Sequence, residues 1–297
     1  FVDIAGLVKG ASEGAGLGNQ FLSHIREVDA ILEVVRFFDD PDILHVEGEV
    51  EPAKDIEIIE LELILSDAEQ VRTRRDRIEG DVKAGKKEAI AEEAVLAKLE
   101  QGFAQGSLAR STGLISNEFE LVRHLNLLTM KPILYALNRK SGGHNVDEQS
   151  DGRAERAYDR ITVLGSTYIK VDAATERELN DVSDEDRSGF RQELGVHEDG
   201  LTVLIRGAYE TLGLISFFTT GPKETRAWTV VSGSTAPQAG AAIHTDFKDK
   251  FIRAEVVSAG DLLAAGSYST AREQAKVRTE GKEYVVRDGD VIVFLHS

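Results

Sequence analysis

Apolar residues fall along the chain in three textures. Residues 30–38 form an almost unbroken apolar run, Ala30-Ile31-Leu32-Glu33-Val34-Val35-Arg36-Phe37-Phe38, and residues 131–137 and 168–171 repeat that character. Short continuous runs of this kind predict buried strands. Between the first two lies a long stretch of different rhythm. From Asp55 to Val82 the apolar positions Ile58, Ile59, Leu61, Leu63, Ile64, Leu65, Ala68, Val71 and Ile78 follow helical spacing. Lys83-Ala84-Gly85-Lys86 reads as a turn, and Ala91, Ala94, Val95, Leu96 and Leu99 predict a second helix over residues 89–103. Two long helices around a short turn make an antiparallel hairpin. Strands separated by helices imply a mainly parallel sheet.

After residue 222 the texture becomes short β-like runs at 227–231, 254–257, 284–286 and 291–295. Asp288-Gly289 predicts a hairpin turn joining the last two. A break at Thr219-Thr220-Gly221-Pro222 separates this small α+β part from the rest.

Charge sharpens that division. The 297 residues carry 35 Lys and Arg against 52 Asp and Glu, a formal net charge of −17. Residues 222–297 hold ten of each sign, so the whole excess lies before them. Such a field repels phosphates and argues against general wrapping of DNA or an anionic membrane. Arg72, Arg74, Arg75, Arg77, Lys83, Lys86 and Lys87 nevertheless make the hairpin tip locally basic. There is no cysteine, which removes disulfides, thiol catalysis and cysteine-held metals. No run of about 18 apolar residues predicts a membrane span, and no signal peptide opens the chain. A cytoplasmic setting is the expectation.

Candidate chemistry begins at the first residues. Phe1 to Leu7 read as a buried strand running into a glycine turn, an opening that predicts a preceding segment. Asp3-Ile4-Ala5-Gly6 is D-x-x-G after a strand, the pattern in which an Asp helps hold Mg²⁺ and a Gly amide faces a terminal phosphate. Alone it is a weak signal. Residues 9–19 follow with four glycines at positions 10, 14, 16 and 18, suited to a loop that orders around a phosphate. Gly80 to Lys87 nearly spells a P-loop, but Lys87 stands where a Ser or Thr is required and the preceding segment is a charged helix. The seven histidines share no metal-ligand spacing.

Taken together, the segment from Phe1 to Ser12, Gly16-Leu17-Gly18-Asn19, Ile43-Leu44-His45-Val46-Glu47-Gly48, Arg226-Ala227-Trp228-Thr229, Ala236-Pro237-Gln238-Ala239 and Ile243-His244-Thr245-Asp246-Phe247 strongly resemble the YchF / Obg-like ATPase family. The motifs fall in order along the whole chain. The resemblance implies an α/β P-loop NTPase domain with a mainly parallel sheet (residues 1–55 and 129–217), an inserted helical coiled coil (56–128) and a C-terminal α+β β-grasp TGS domain (218–297). It also implies that the P-loop lies in a segment before Phe1, so the sequence as given is expected to hydrolyse ATP negligibly.

By that resemblance Asp3 supports Mg²⁺, Gly6 senses the γ-phosphate, and His45 orients the attacking water, since Leu7 cannot. The family's base-recognition motif is Asn-x-x-Glu, which Asn145-Val146-Asp147-Glu148 matches; Asn138, at the end of the run 131–137, is the rival for the base-contacting Asn. Asp172 stands where the family has a small residue. The implied activity is hydrolysis of ATP in preference to GTP with Mg²⁺, by a monomer whose partner is the ribosome, its RNA or its proteins, engaged through the coiled coil and TGS domain. The charge distribution leads to the expectation that the basic hairpin tip supplies the salt-dependent affinity. A GTP-hydrolysing relative and a non-catalytic ribosome- or RNA-binding scaffold remain the alternatives.

Overall fold

The computed structural model describes residues 1–2, 25–43, 48–194, 198–221 and 224–297. The chain divides into two compact units, Phe1–Ala208 and Tyr209–Ser297.

In the first unit, β1 (Ile31–Arg36), β3 (Ile133–Asn138) and β5 (Thr167–Val171) form a parallel sheet in the order β1-β3-β5. Ile133 through Leu137 are all buried, as a central parallel strand covered on both faces requires. The register runs Arg36↔Asn138 and Asn138↔Val171, so the three strands end at one level. A two-residue pair, β2 (Phe38–Asp39) with β4 (His144–Asn145), continues beyond that level.

The expected hairpin is present. Helix α1 (Pro52–Lys83) spans 32 residues, about 48 Å at ~1.5 Å per residue, and α2 (Lys87–Ala104) returns beside it. Pro52 suits the first helical turn, where its missing N–H costs nothing. Gly85 takes the left-handed conformation of the connecting turn, φ +76°. Helix α1 serves two cores. Ile56 and Leu63 pack with Val35, Phe37, Tyr135 and Leu137 of the sheet and with Ala157 and Ile161 of the helix over Arg153–Val163. Ile64, Val71 and Ile78 pack with Val95, Leu96, Leu99 and Phe103 of α2.

Asp67 sits where one core gives way to the other and is fully buried. It accepts from the Leu128 amide (3.0 Å), the Thr129 amide (2.8 Å) and the Thr129 hydroxyl (2.7 Å), and pairs with Arg26 at 2.9 Å. This carboxylate fixes the hairpin to the chain that enters β3.

On the opposite face of the sheet, the helix over Gly200–Thr211 comes so close that a Cβ on Gly207 would meet Ile169 Cγ2 at 2.9 Å and Leu134 Cδ2 at 3.2 Å.

The second unit is a five-stranded sheet of order β7-β6-β10-β8-β9, built from β6 (Leu214–Thr220), β7 (Thr225–Val231), β8 (Phe251–Ser258), β9 (Arg278–Glu280) and β10 (Asp290–His296). Phe217, Phe251 and Phe294 meet in its core. Two expectations change here. The boundary placed at 218 falls inside β6, which pairs with β7 and β10 and so belongs to this unit. The hairpin expected between 284–286 and 291–295 does not form; Val285 makes one bridge, to Thr235. The Asp288-Gly289 turn is tied elsewhere: Gly289 N donates to Ser216 O at 2.8 Å, and Asp288 Oδ1 accepts from Ser216 N at 2.8 Å. That docking sets β10 parallel to β6.

The first unit's core leads to two expected outcomes. Asp67→Ala strips four donors of their acceptor in a buried site and is expected to cost about 3–5 kcal/mol in denaturant unfolding. Glu33, register partner of Tyr135 on β1, has its carboxyl pushed up to about 8 by burial, then by Glu60 and Asp55. A raised folded-state value means the native state binds the extra proton, so this group's contribution is lost as pH rises from the unfolded value toward 8. Glu33→Gln is therefore expected to melt above wild type at pH 8 and alongside it near pH 4.5.

Candidate functional site

In open α/β sheets, ligands bind beyond the carboxyl ends of the strands. Here that edge is formed by the segments leaving β1, β3 and β5. Arg36 closes the first, donating from Nε to Phe38 O (3.1 Å), from Nη1 to Ile43 O (2.9 Å) and from Nη2 to Asp40 O (3.1 Å). Lys140 pairs with Asp40 across to the β3 loop. Asp39 receives a two-pronged Arg153 contact at 2.9 and 2.7 Å and Gln149 at 2.8 Å. The Arg153 hydrogen bonds hold its carboxyl below the usual carboxylate range.

The loop from Asn138 to Glu148 is organised from within. Asn145 is buried; its Oδ1 accepts from Lys140 N at 2.9 Å, and its Nδ2 donates to Lys140 O at 3.1 Å and to the Glu148 carboxylate at 3.3 Å. Gly142 turns the intervening chain at φ +67°. Val146 is fully buried and donates its amide to Phe37 O. Glu148 pairs with Arg139, which also faces Asp147 at 3.2 Å.

The two candidate asparagines differ in their hydrogen bonds. Asn145 is the residue that the sequence motif favours, but its amide oxygen and nitrogen are both spent on closing the loop. Val146 is a core residue and Glu148 an ion-pair partner. The residue at the strand end is Asn138. Its Oδ1 accepts from Ala173 N at 3.1 Å, and its Nδ2 makes no hydrogen bond among the described residues. Asp3, Gly6, His45 and the glycine-rich stretch 9–19 lie outside the described residues. Among the described residues no three His, Cys, Asp or Glu side chains gather as a metal would need.

Composition and periodicity missed one feature of this edge. Asp172 caps the helix over Ala173–Asn180: Oδ1 accepts from Thr175 N (3.0 Å) and Oδ2 from the Thr175 hydroxyl (2.8 Å). The same Oδ2 accepts from Ser141 N at 2.6 Å. Burial pushes its carboxyl up, but the hydrogen bonds from Thr175 and Ser141 outweigh it and leave the carboxyl below the ordinary value. The available signal was an Asp three residues before Thr175 at the end of a strand, a helix-cap spacing.

With this geometry in hand, known proteins supply the context. The chain is 47% identical over 294 residues to the ribosome-binding ATPase YchF of Bacillus subtilis (strain 168), covering 99% of this chain and 80% of that protein. It is 45% identical over its full length to the ribosome-binding ATPase YchF of Escherichia coli O157:H7, covering 81% of that protein. The chain belongs to the YchF family. A family model named YchF-GTPase_C, described as a protein of unknown function (DUF933), matches residues 214–297. The solved structure of the Schizosaccharomyces pombe YchF GTPase superposes with a TM-score of 0.81 at 35% identity, covering 97% of this chain and 78% of that one. The fold is thus the α/β P-loop NTPase fold of YchF proteins with their C-terminal domain.

Asn145 clasps the strand-end loop from within, so Asn145→Ala leaves the part-buried Lys140 amide without that acceptor. The expected cost is about 1–3 kcal/mol, with faster hydrogen exchange at Lys140.

Proposed function

We propose that this YchF protein is an ATP-preferring P-loop NTPase that works with the ribosome, converting ATP to ADP and phosphate in the cytoplasm. The observation that carries this reading is the 39–47% identity, along nearly the whole chain, to proteins named ribosome-binding ATPase. The nucleotide base lies at the ends of β3 and β5, with Asn138 as the strand-end contact. Asn138 Nδ2 has no hydrogen-bond partner among the described residues, and a hydrogen-bond donor suits the ring nitrogens of a purine.

Asp3, Gly6 and His45 retain the roles their motifs imply: support of Mg²⁺, sensing of the γ-phosphate and orientation of water. Bound Mg²⁺ would neutralise charge that develops on the phosphoryl oxygens. The strand-end loops hold the base while the phosphates are engaged elsewhere, which is the positioning half of phosphoryl-transfer catalysis. The protein acts as a monomer.

The hairpin and the C-terminal TGS unit are the proposed ribosome contacts, but much of the tip's positive charge is taken up within the hairpin. Arg74 is paired with Glu92 at 2.7 Å, and Arg75 with Glu93 and Glu100. Lys83 pairs with Glu79 and Lys86 with Asp81. These cations are held by the hairpin's own carboxylates. Arg72, Arg77 and Lys87 are exposed and have no ion-pair partner among the described residues, so they carry the proposed contact to ribosomal RNA phosphate.

Turnover by the complete protein, measured with ATP and GTP and with or without ribosomes, tests the reading. ATP is expected to give the higher kcat/KM. A preference for GTP, in keeping with the fission-yeast relative's name of GTPase, contradicts it, as does absence of turnover with either nucleotide. For the hairpin, Arg72→Glu, Arg77→Glu and Lys87→Glu combined are expected to weaken ribosome binding and reduce its salt slope by up to ~3. Unchanged affinity and slope would remove the tip from the interface.

A further inference from the structure

Side chains at the ends of β3 and β5 reach across to each other's backbone in opposite directions. Asn138, the last residue of β3, extends its Oδ1 to the amide of Ala173 beyond β5. Asp172, just beyond β5, extends its Oδ2 back to the amide of Ser141 beyond β3. Thr175 adds a third link, its hydroxyl 3.2 Å from Ser141 Oγ and 2.8 Å from Asp172 Oδ2. The two loops meet in this double tie, one half of it charge-assisted. The β3 loop is also joined to β5 by Arg139 N, which donates to Val171 O at 2.7 Å, and by Lys170 with Asp147 at 2.7 Å, and it is held from its far side by Asn145 and by Lys140 with Asp40.

We infer that Asp172 is a positioning residue for the nucleotide: the Asn138–Asp172 cross-tie fixes the separation of the two strand-end loops and so pre-forms the place where a purine base is held. The inference rests on the proposed location of the base. Its physical content is pre-organisation. Without the tie, Ser141 and its neighbours sample other positions, and binding must supply the ordering. Asp172 acts through the loops and not by contact with the base, so its loss penalises any purine nucleotide alike.

The capping role can be separated from the tie. Ser is as good a helix cap as Asp, yet its side chain is one atom group shorter and cannot span to Ser141. Asp172→Ser in the complete protein therefore preserves the helix over Ala173–Asn180 and breaks only the Asp172–Ser141 half of the cross-tie. A hydrogen bond to a charged group is stronger than a neutral one, so the dissociation constants of ATP and GTP are each expected to rise about tenfold or somewhat more, in the same proportion. The rate at saturating ATP should stay within about twofold, and exchange of the Ser141 amide should accelerate. Asp172→Asn, which also keeps a capping oxygen, serves as the second variant should Asp172→Ser fold poorly.

Unchanged affinity for both nucleotides overturns the inference. So does a change confined to one of them, since that would make Asp172 a direct contact. Hydrogen exchange of the wild-type protein separates the layers. Nucleotide that leaves residues 138–148 and 171–176 unprotected overturns the base location and the inference with it. Nucleotide that protects them, while Asp172→Ser binds like wild type, overturns the inference alone.

Discussion

A parallel sheet has to stop somewhere, and where it stops the strands lose ladder partners for their amides and carbonyls. Buried groups of this kind must be satisfied by other means. In this protein β1, β3 and β5 end level, and the loops beyond them are furnished with side chains that do the work. Arg36 takes three carbonyls, Asn145 both bonding groups of Lys140, Asn138 the amide of Ala173, and Asp172 the amide of Ser141. The edge is ordered by its own side chains, and that ordering suits it to the nucleotide base proposed to bind there.

The same economy of polar groups governs the hairpin. A helix of 32 residues cannot be positioned by one core alone, and α1 exchanges the sheet for α2 half-way along. At the exchange, Asp67 collects amides and a hydroxyl from Leu128 and Thr129 and a guanidinium from Arg26. Farther out, Arg74 and Arg75 tie the two helices to each other through Glu92, Glu93 and Glu100. A basic sequence thus became in part a set of internal ion pairs, and fewer cations are left for a partner than a count along the chain suggests.

The hairpin was legible because its signal is local: apolar spacing over thirty residues and a Gly turn. The three parallel strands were legible as apolar runs. The C-terminal sheet was less so, because its pairings are not local. β10 finds β6 more than seventy residues earlier, and the Asp-Gly turn that reads as a hairpin is bonded to Ser216 instead. Leu214 to Phe218 lie before the composition break and so read as part of the preceding domain. At the site, the motif favours Asn145 and the strand end favours Asn138; the hydrogen bonds add that the Asn145 side chain closes its own loop. Asp172 read as an awkward departure because its partner, Ser141, is 31 residues away in the loop beyond the neighbouring strand.

Everything proposed for the nucleotide turns on where its base is held. Photolabelling the complete protein with an azido-adenine analogue of ATP, followed by peptide mapping, measures that location directly. ATP-protectable label is expected in peptides from 138–148 and 172–176, beside Asn138 and Asp172. Protectable label confined to residues 209–297, with none at the strand ends, would contradict it.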